Sequence, residues 1–338
     1  MPKTNYLPYV GVYDTNRAVV KESFKGASEE ELEETTLRFA DKVMTTKMAE
    51  DRRTPMQLEM LSMLDELNWR KLGRDILFPS KGLVEALLAS GFEVDRESFK
   101  TPFRIFSVSV PRDMSWRGIR IHPFLVTYDT STQRQESYDA VYLGNGMLPM
   151  PIDSDRPDEL CMRITFTSPV TMPDGMKTRA IHRSSFPGEM MEEILSCAKH
   201  GTDPGDAISI AGTMEKIRCL PLDEKERNEM FLAFKLAVGL SLFIQSFPDS
   251  MVDGLPKDYT VSTGRLPKGS RPRSIGHGIP GSEDRRGSGA QGPRHCGMYF
   301  RSYPKRSDGS RKPGIVEVSG YWTKGKTTPH TVAQEVGA

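Results

Sequence analysis

Cysteine is scarce, with four in 338 residues and none in a Cys-x-x-Cys pair. That excludes a disulfide-stapled secreted miniprotein and leaves a structural zinc site without a close ligand pair. The six histidines supply no His-x-x-x-His or His-Glu-x-x-His spacing either. No apolar run reaches the roughly 18–20 residues needed to cross a bilayer. The opening stretch, Met1 to Asp14, lacks the basic and then apolar regions of a secretory signal, and Pro2 excludes N-myristoylation. Gly-x-Ser-x-Gly does not occur. These absences imply a cytoplasmic protein with no membrane partner and no cofactor. Three of the cysteines, Cys161, Cys197 and Cys219, sit among apolar residues and read as small core side chains.

What is present is a soluble-type composition, 37% hydrophobic and 27% charged, with a mean hydropathy of -0.47. Its net charge of +1 conceals a segregation. Residues 257–326 hold 15 Lys+Arg against five Asp+Glu, whereas residues 1–256 hold 31 against 39. Charge divided in this way suits a segment that meets a polyanion or an acidic surface. A solvated basic segment that only aids solubility has the same composition, and both readings stand at this point.

The pattern along the chain is α+β. Ser28 and Glu31 have the spacing of a capping box, and Leu32, Thr36, Phe39, Ala40 and Val43 follow on one helical face. Thr54-Pro55 opens a second helix that ends near Gly73, and Pro79-Ser80 opens a third that Gly91 closes. The texture then turns to strands: Phe103 to Val110, Ile119 to Tyr128, Tyr138 to Leu143 and Met162 to Phe166. A small antiparallel sheet packed on the helices is expected. Phe186-Pro187 reads as the start of another helix. Asp223, with Glu226 in the reciprocal position, caps a helix carrying the run Phe231 to Ile244. Fourteen residues span about 21 Å against a hydrocarbon core of about 30 Å, and Lys235 interrupts the run, so a central buried helix is expected. Residues 264–314 are rich in Gly, Pro, Ser and Arg and read as loop or linker, followed by a closing strand from Gly314 to Trp322. The organisation is an N-terminal arm and helix over 1–53, an α+β core over 54–256, and a basic segment with closing strand over 257–338.

Few constellations suggest chemistry. Gly276 to Gly281 has Gly-x-Gly-x-x-Gly spacing, but basic loop precedes it, no helix follows, and Pro280 removes an N–H. Asp129, Asp139 and Asp153 lie near strand ends and could hold Mg²⁺ for nuclease work, as acids in many loops could. The basic segment is the most informative. Arg271, Arg273, Arg285, Arg286, Arg294, Arg301, Lys305 and Arg306 interleave with His295, Tyr299 and Phe300. Guanidinium and ammonium groups pair with phosphates, and aromatic faces stack on unpaired bases. RNA contact, docking on an acidic protein and anchoring of the loop itself all fit these residue types.

The order of elements carries a resemblance. Leu67 to Ser80, Thr101 to Pro111, the apolar helix from Phe231 to Phe247 and the basic aromatic box with its closing strand occur in sequence. This layout resembles the broad phage- and plasmid-borne family related to the second type V-A anti-CRISPR protein. Pro293-Arg294-His295 stands near that family's Pro-His, and Cys296 to Arg301 stands where its paired arginines and Gly-His-Trp fall. The second His and the adjacent Arg pair are missing here. The resemblance implies a mobile-element protein that lowers production of a target polypeptide during translation, with loss of its message. Its partners would be RNA or the translating ribosome and one specific target polypeptide. A metal-dependent nuclease and a non-catalytic module docking an acidic partner are the alternatives.

Overall fold

The computed structural model describes residues 4–14, 17, 21, 25–28, 30–36, 50–93, 99–130, 132–133, 158–171, 177–188, 191, 224–257, 259–261, 266, 269–276, 294–295, 299–302, 315–318 and 322–323. The expected strand from Tyr138 to Leu143, Asp139, Asp153, Cys197 and Cys219 lie outside them. Content is mixed α and β, around a mixed sheet and a buried apolar helix.

The capping box forms as its spacing implies. Ser28 N–H donates to Glu31 Oε2 at 2.7 Å and Glu31 N–H to Ser28 Oγ at 3.2 Å, which holds the exposed Glu31 carboxyl below its ordinary range. Helical residues 30–36 follow. Helix α1 (Glu50–Lys71) begins ahead of the expected Thr54-Pro55 start. It ends at Gly73, whose φ of +105° only glycine adopts freely, while Arg74 N–H returns to Trp69 O at 2.9 Å.

Strand β2 (Asp75–Pro79) runs directly on, buried at all five positions. Ser80 then caps α2 (Lys81–Ala89), accepting from Leu83 N–H at 3.2 Å. The chain returns through β3 (Gly91–Glu93) to β4 (Ile105–Val108), which lies parallel to β2, so β2–α2–β4 is a parallel crossover unit. Short strands β5 (Val110–Pro111), β6 (Ser115–Trp116) and β7 (Ile119–Arg120) lead to β8 (Phe124–Thr130). The long hairpin β9 (Leu160–Thr171) and β10 (Lys177–Pro187) continues antiparallel. The strand expected to stop at Phe166 runs on to Thr171. Phe186-Pro187, expected to open a helix, still belongs to β10, with Phe186 paired to Met162 in register, and helical residues follow directly, at Gly188 and Met191.

Helix α3 (Glu224–Ser246) is the expected apolar helix, with 18 buried residues. Among the described residues it alone is long and apolar enough to span a membrane, and its apolar window is 94% buried inside the fold. After it come β11 (Met251–Asp253), β12 (Tyr259–Val261) and β13 (Arg271–Ile275). The principal sheet is seven-stranded, ordered β10-β9-β8-β4-β2-β13-β11. It is therefore neither small nor purely antiparallel as expected, because β4, β2 and β13 run parallel at its heart. Residues 271–275, read from composition as loop, form an inner strand: β2 offers them a complete parallel ladder. The sheet thus joins strands from both sides of the expected boundary at residue 256.

A second sheet orders β16 (Ile315–Val318), β15 (Tyr299–Ser302) and β3, and α3 lies against β16. β14 (Arg294–His295) pairs with β17 (Trp322–Thr323). The N-terminal β1 (Thr4–Leu7) lies between β12 and β5.

The principal sheet has helices on both sides, and its strands alternate between them. Leu77, Phe106, Val126, Ile164 and Phe166 belong to the core formed with α2 and α3. Ile76, Phe78, Ile105 and Leu125 meet Trp69 of α1 and Tyr6 and Tyr9 of the N-terminal arm on the other face.

Candidate functional site

The basic residues singled out by the sequence divide into three groups. Arg271 and Arg273 lie in β13, beside the C-terminal end of α1. Arg271, half-exposed, donates to Asp75 Oδ2 at 2.9 Å, to Gly73 O at 3.1 Å and to Leu72 O. Arg273 pairs with Asp253 and lies 3.8 Å from Asp75 Oδ1, its guanidinium 5.8 Å from the Phe103 ring centroid. Burial pushes the Asp75 carboxyl up, against the opposing pull of these two arginines. Both arginines therefore tie β13 to the body.

The second group lies on short strands. Arg294 and His295 form β14, paired with Thr323 and Trp322. Tyr299, Phe300 and Arg301 lie in β15, the middle strand of the second sheet, in register with Gly91, Phe92 and Glu93 on one side and Val318, Glu317 and Val316 on the other. Arg285, Arg286, Lys305 and Arg306 lie outside the described residues. Gly276, at the head of the glycine-spaced run, follows strand β13 directly, which corrects the expectation of a loop before it. Its carbonyl accepts from Ser80 Oγ at 2.7 Å.

Of the three acids considered for nuclease work, Asp129 is described. It is 1% exposed, pairs with Arg163 and lies 3.3 Å from Arg104 Nη2. Two guanidiniums flank it, so it is poorly placed to hold a divalent cation. No cluster of three His, Cys, Asp or Glu suited to a metal occurs among the described residues. Cys161, expected in the core, is half-buried.

Asp129 belongs to an ionic layer between the sheet and α1. Asp65 of α1 pairs with Arg183 of β10, which also reaches Thr165 Oγ1 at 3.3 Å, and all three are buried. Glu66 faces the N-terminal arm. Its carboxylate accepts from Tyr9 Oη at 2.6 Å, Val12 N–H at 2.9 Å and Tyr13 N–H at 2.6 Å. Burial outweighs these three donors and raises its pKa to about 7. A Cβ at Gly11 would lie 2.5 Å from Glu66 Oε2, so a larger residue there would displace the Glu66 carboxylate or the arm.

The opposite face carries a different polar cluster, at the N-terminal end of α3. Phe166 of β9 is sandwiched between two imidazoles: His122 at 5.1 Å with planes 2° apart, and His182 at 4.7 Å with planes 18° apart. Each histidine meets a glutamate one turn apart on α3. His122 Nε2 lies 3.4 Å from Glu229 Oε2 and His182 Nδ1 lies 3.4 Å from Glu226 Oε1. His182 Nε2 and Ser168 Oγ are 2.7 Å apart.

Sequence reasoning tested the histidines only for metal spacing and missed this cluster. Its members are spread along the chain from His122 to Glu229, and the strand pairing of His182 with Phe166 brings them together. The alternating Phe166-x-Ser168 and Ala180-x-His182 patterns are the local trace of it. No protein-family model matches the chain, and no curated protein matches it.

Proposed function

We propose that this chain is a phage- or plasmid-borne accessory protein that lowers expression of a specific host polypeptide in the cytoplasm. In this reading the α+β body binds the emerging target peptide, and the basic C-terminal segment contacts its message or the ribosome. The finer plan is then a helical N-terminal half, a sheet with its buried apolar helix, and a basic segment closing on a strand. The layout's likeness to the anti-CRISPR-related family motivates the reading.

The observation that supports it most is the course of the basic segment. It enters the principal sheet as β13 and the second sheet as β15, so Arg271, Arg273 and Arg301 are carried on strands of the body. Arg285, Arg286 and Arg294 fall between those two strands in sequence, and Lys305 and Arg306 follow the second. A tethered polycation of this kind presents phosphate-pairing groups with less ordering cost than a free tail.

The test is salt-dependent binding of a single-stranded RNA by the full-length chain and by a variant with Arg285, Arg286, Arg294, Lys305 and Arg306 changed to Gln. Deletion of 257–338 is unsuitable, since it removes β13 from the sheet. Each lost phosphate contact lowers the slope of log K against log salt by about 0.7. A slope unchanged in the variant overturns RNA contact through this segment. Sedimentation from a host lysate with and without RNase then tests the ribosome: RNase-sensitive co-migration is expected, and free protein in both gradients counts against it.

A further inference from the structure

We propose that Ser168, His182 and Glu226 form a nucleophile, general base and orienting carboxylate at the margin of the principal sheet, acting on an ester or comparably activated acyl group. The proposal is independent of RNA contact and of the basic segment.

The geometry has the connectivity that serine activation needs. His182 uses its two ring nitrogens for two different partners, Glu226 Oε1 at Nδ1 and Ser168 Oγ at Nε2. A carboxylate facing Nδ1 favours the tautomer protonated there, which leaves Nε2 to accept the serine O–H. The 2.7 Å separation already lies within reach for proton transfer. The 3.4 Å pair with Glu226 shortens as the imidazole becomes charged, because the ion pair strengthens at that moment.

The surroundings hold the base and leave the nucleophile approachable. His182 is 5% exposed and stacked on Phe166, whose other face is stacked on His122, so the imidazole plane is fixed by packing. Ser168 is two residues beyond Phe166 on β9 and shares its face of the sheet, but it is only half-buried. β10, which carries His182, lies at one edge of the sheet, and Glu226 lies in the first turn of α3, about a third exposed.

In the proposed step Ser168 Oγ bonds to the acyl carbon as its proton passes to His182 Nε2. The bond from carbon to the leaving oxygen then breaks, and His182 returns the proton to that oxygen. Water, deprotonated by the same nitrogen, attacks the acyl-serine, and Ser168 recovers its proton as the acid departs. No redox change occurs. Ser168 and His182 would be the catalytic residues, with Glu226 a positioning residue.

The experiment treats full-length protein with a fluorophosphonate probe and reads intact mass and the labelled peptide. The expected result is one phosphonyl adduct on Ser168, formed as the serine oxygen displaces fluoride and His182 takes the proton. Ser168→Ala should lose the adduct, and Glu226→Gln should slow labelling at least tenfold with an unchanged melting temperature. Three results would overturn the proposal: no adduct where a reference serine hydrolase is fully labelled, an adduct retained in Ser168→Ala, or wild-type labelling rates in Glu226→Gln. Any of them reduces the cluster to a hydrogen-bonded core histidine and leaves the proposed expression-lowering role untouched.

Discussion

The two faces of the seven-stranded sheet are held by different forces. Towards α2 and α3 the contacts are mainly apolar, with Phe186 and Phe234 stacked at 4.4 Å in the middle. Towards α1 and the N-terminal arm, a smaller apolar cluster is joined by the buried pairs of Asp65 with Arg183 and Asp129 with Arg163. Each face also holds a buried charged residue whose pKa is displaced far from its ordinary range. On the apolar side Lys235 is 1% exposed and donates to Leu88 O at 2.7 Å, near the C-terminal end of α2. On the ionic side Glu66 holds the arm through three donors. Apolar packing tolerates change in proportion to volume, whereas a buried ion pair makes each partner dependent on the other.

The largest effects should come from opening either face. Phe234→Ala is expected to cost about 3–5 kcal/mol. Asp65→Ala should cost a similar amount, about 3–5 kcal/mol, because it leaves Arg183 buried without its carboxylate. The two losses differ in their remedy. Asp65→Leu combined with Arg183→Met should recover most of the stability, since an apolar pair of similar volume avoids desolvation of either charge. Urea denaturation of the single and double variants measures the coupling. Additive losses would show that Asp65 and Arg183 do not act as a pair.

The ease of reading these faces from sequence also differed. Periodicity and capping signals located α2, most of α3 and several strands, because each signal lies within a few consecutive residues. β2 was invisible as a strand: Asp75–Pro79 is buried at every position, so it has no alternation to detect. β13 was hidden by composition, since Arg, Pro and Ser are poor strand formers until β2 supplies a ladder. Asp65, Glu66, Arg163 and Arg183 resemble surface charges in sequence, and only the pairing of distant elements buries them. The same holds for Ser168, His182 and Glu226. Of the residues chosen for RNA contact, Arg271 and Arg273 find their partners, Asp75 and Asp253, among acids elsewhere in the same sheet.

The two faces should also respond oppositely to pH. The pKa of Glu66 is raised from 4.5 to about 7 by burial, so the folded state holds its proton more tightly than the unfolded chain. The associated stability is full below pH 4.5 and is lost as pH rises through about 7. Burial lowers the pKa of Lys235 from 10.5 to about 7, with a further push from Arg117. Its stability is full above pH 10.5 and is lost as pH falls through about 7. Each is worth on the order of a few kcal/mol over its window. Glu66→Gln should flatten the acidic-side slope, and Lys235→Met the alkaline one, in melting temperatures measured from pH 4.5 to 10. Variants with unchanged slopes would show that neither group titrates in the folded protein.

The smallest expected effect tests the boundary between scaffold and basic surface. Arg271 is half-exposed and its ion pair with Asp75 meets solvent, so screening limits what it contributes. Arg271→Gln should destabilise by about 1 kcal/mol or less, through the lost ties to Leu72, Gly73 and Asp75. If its only work is to pin β13 beside α1, the salt slope of RNA binding in that variant will match wild type. A slope reduced by about 0.7 would instead make Arg271 a phosphate contact. The strand that joins the basic segment to the sheet would then also be part of the surface that reads RNA.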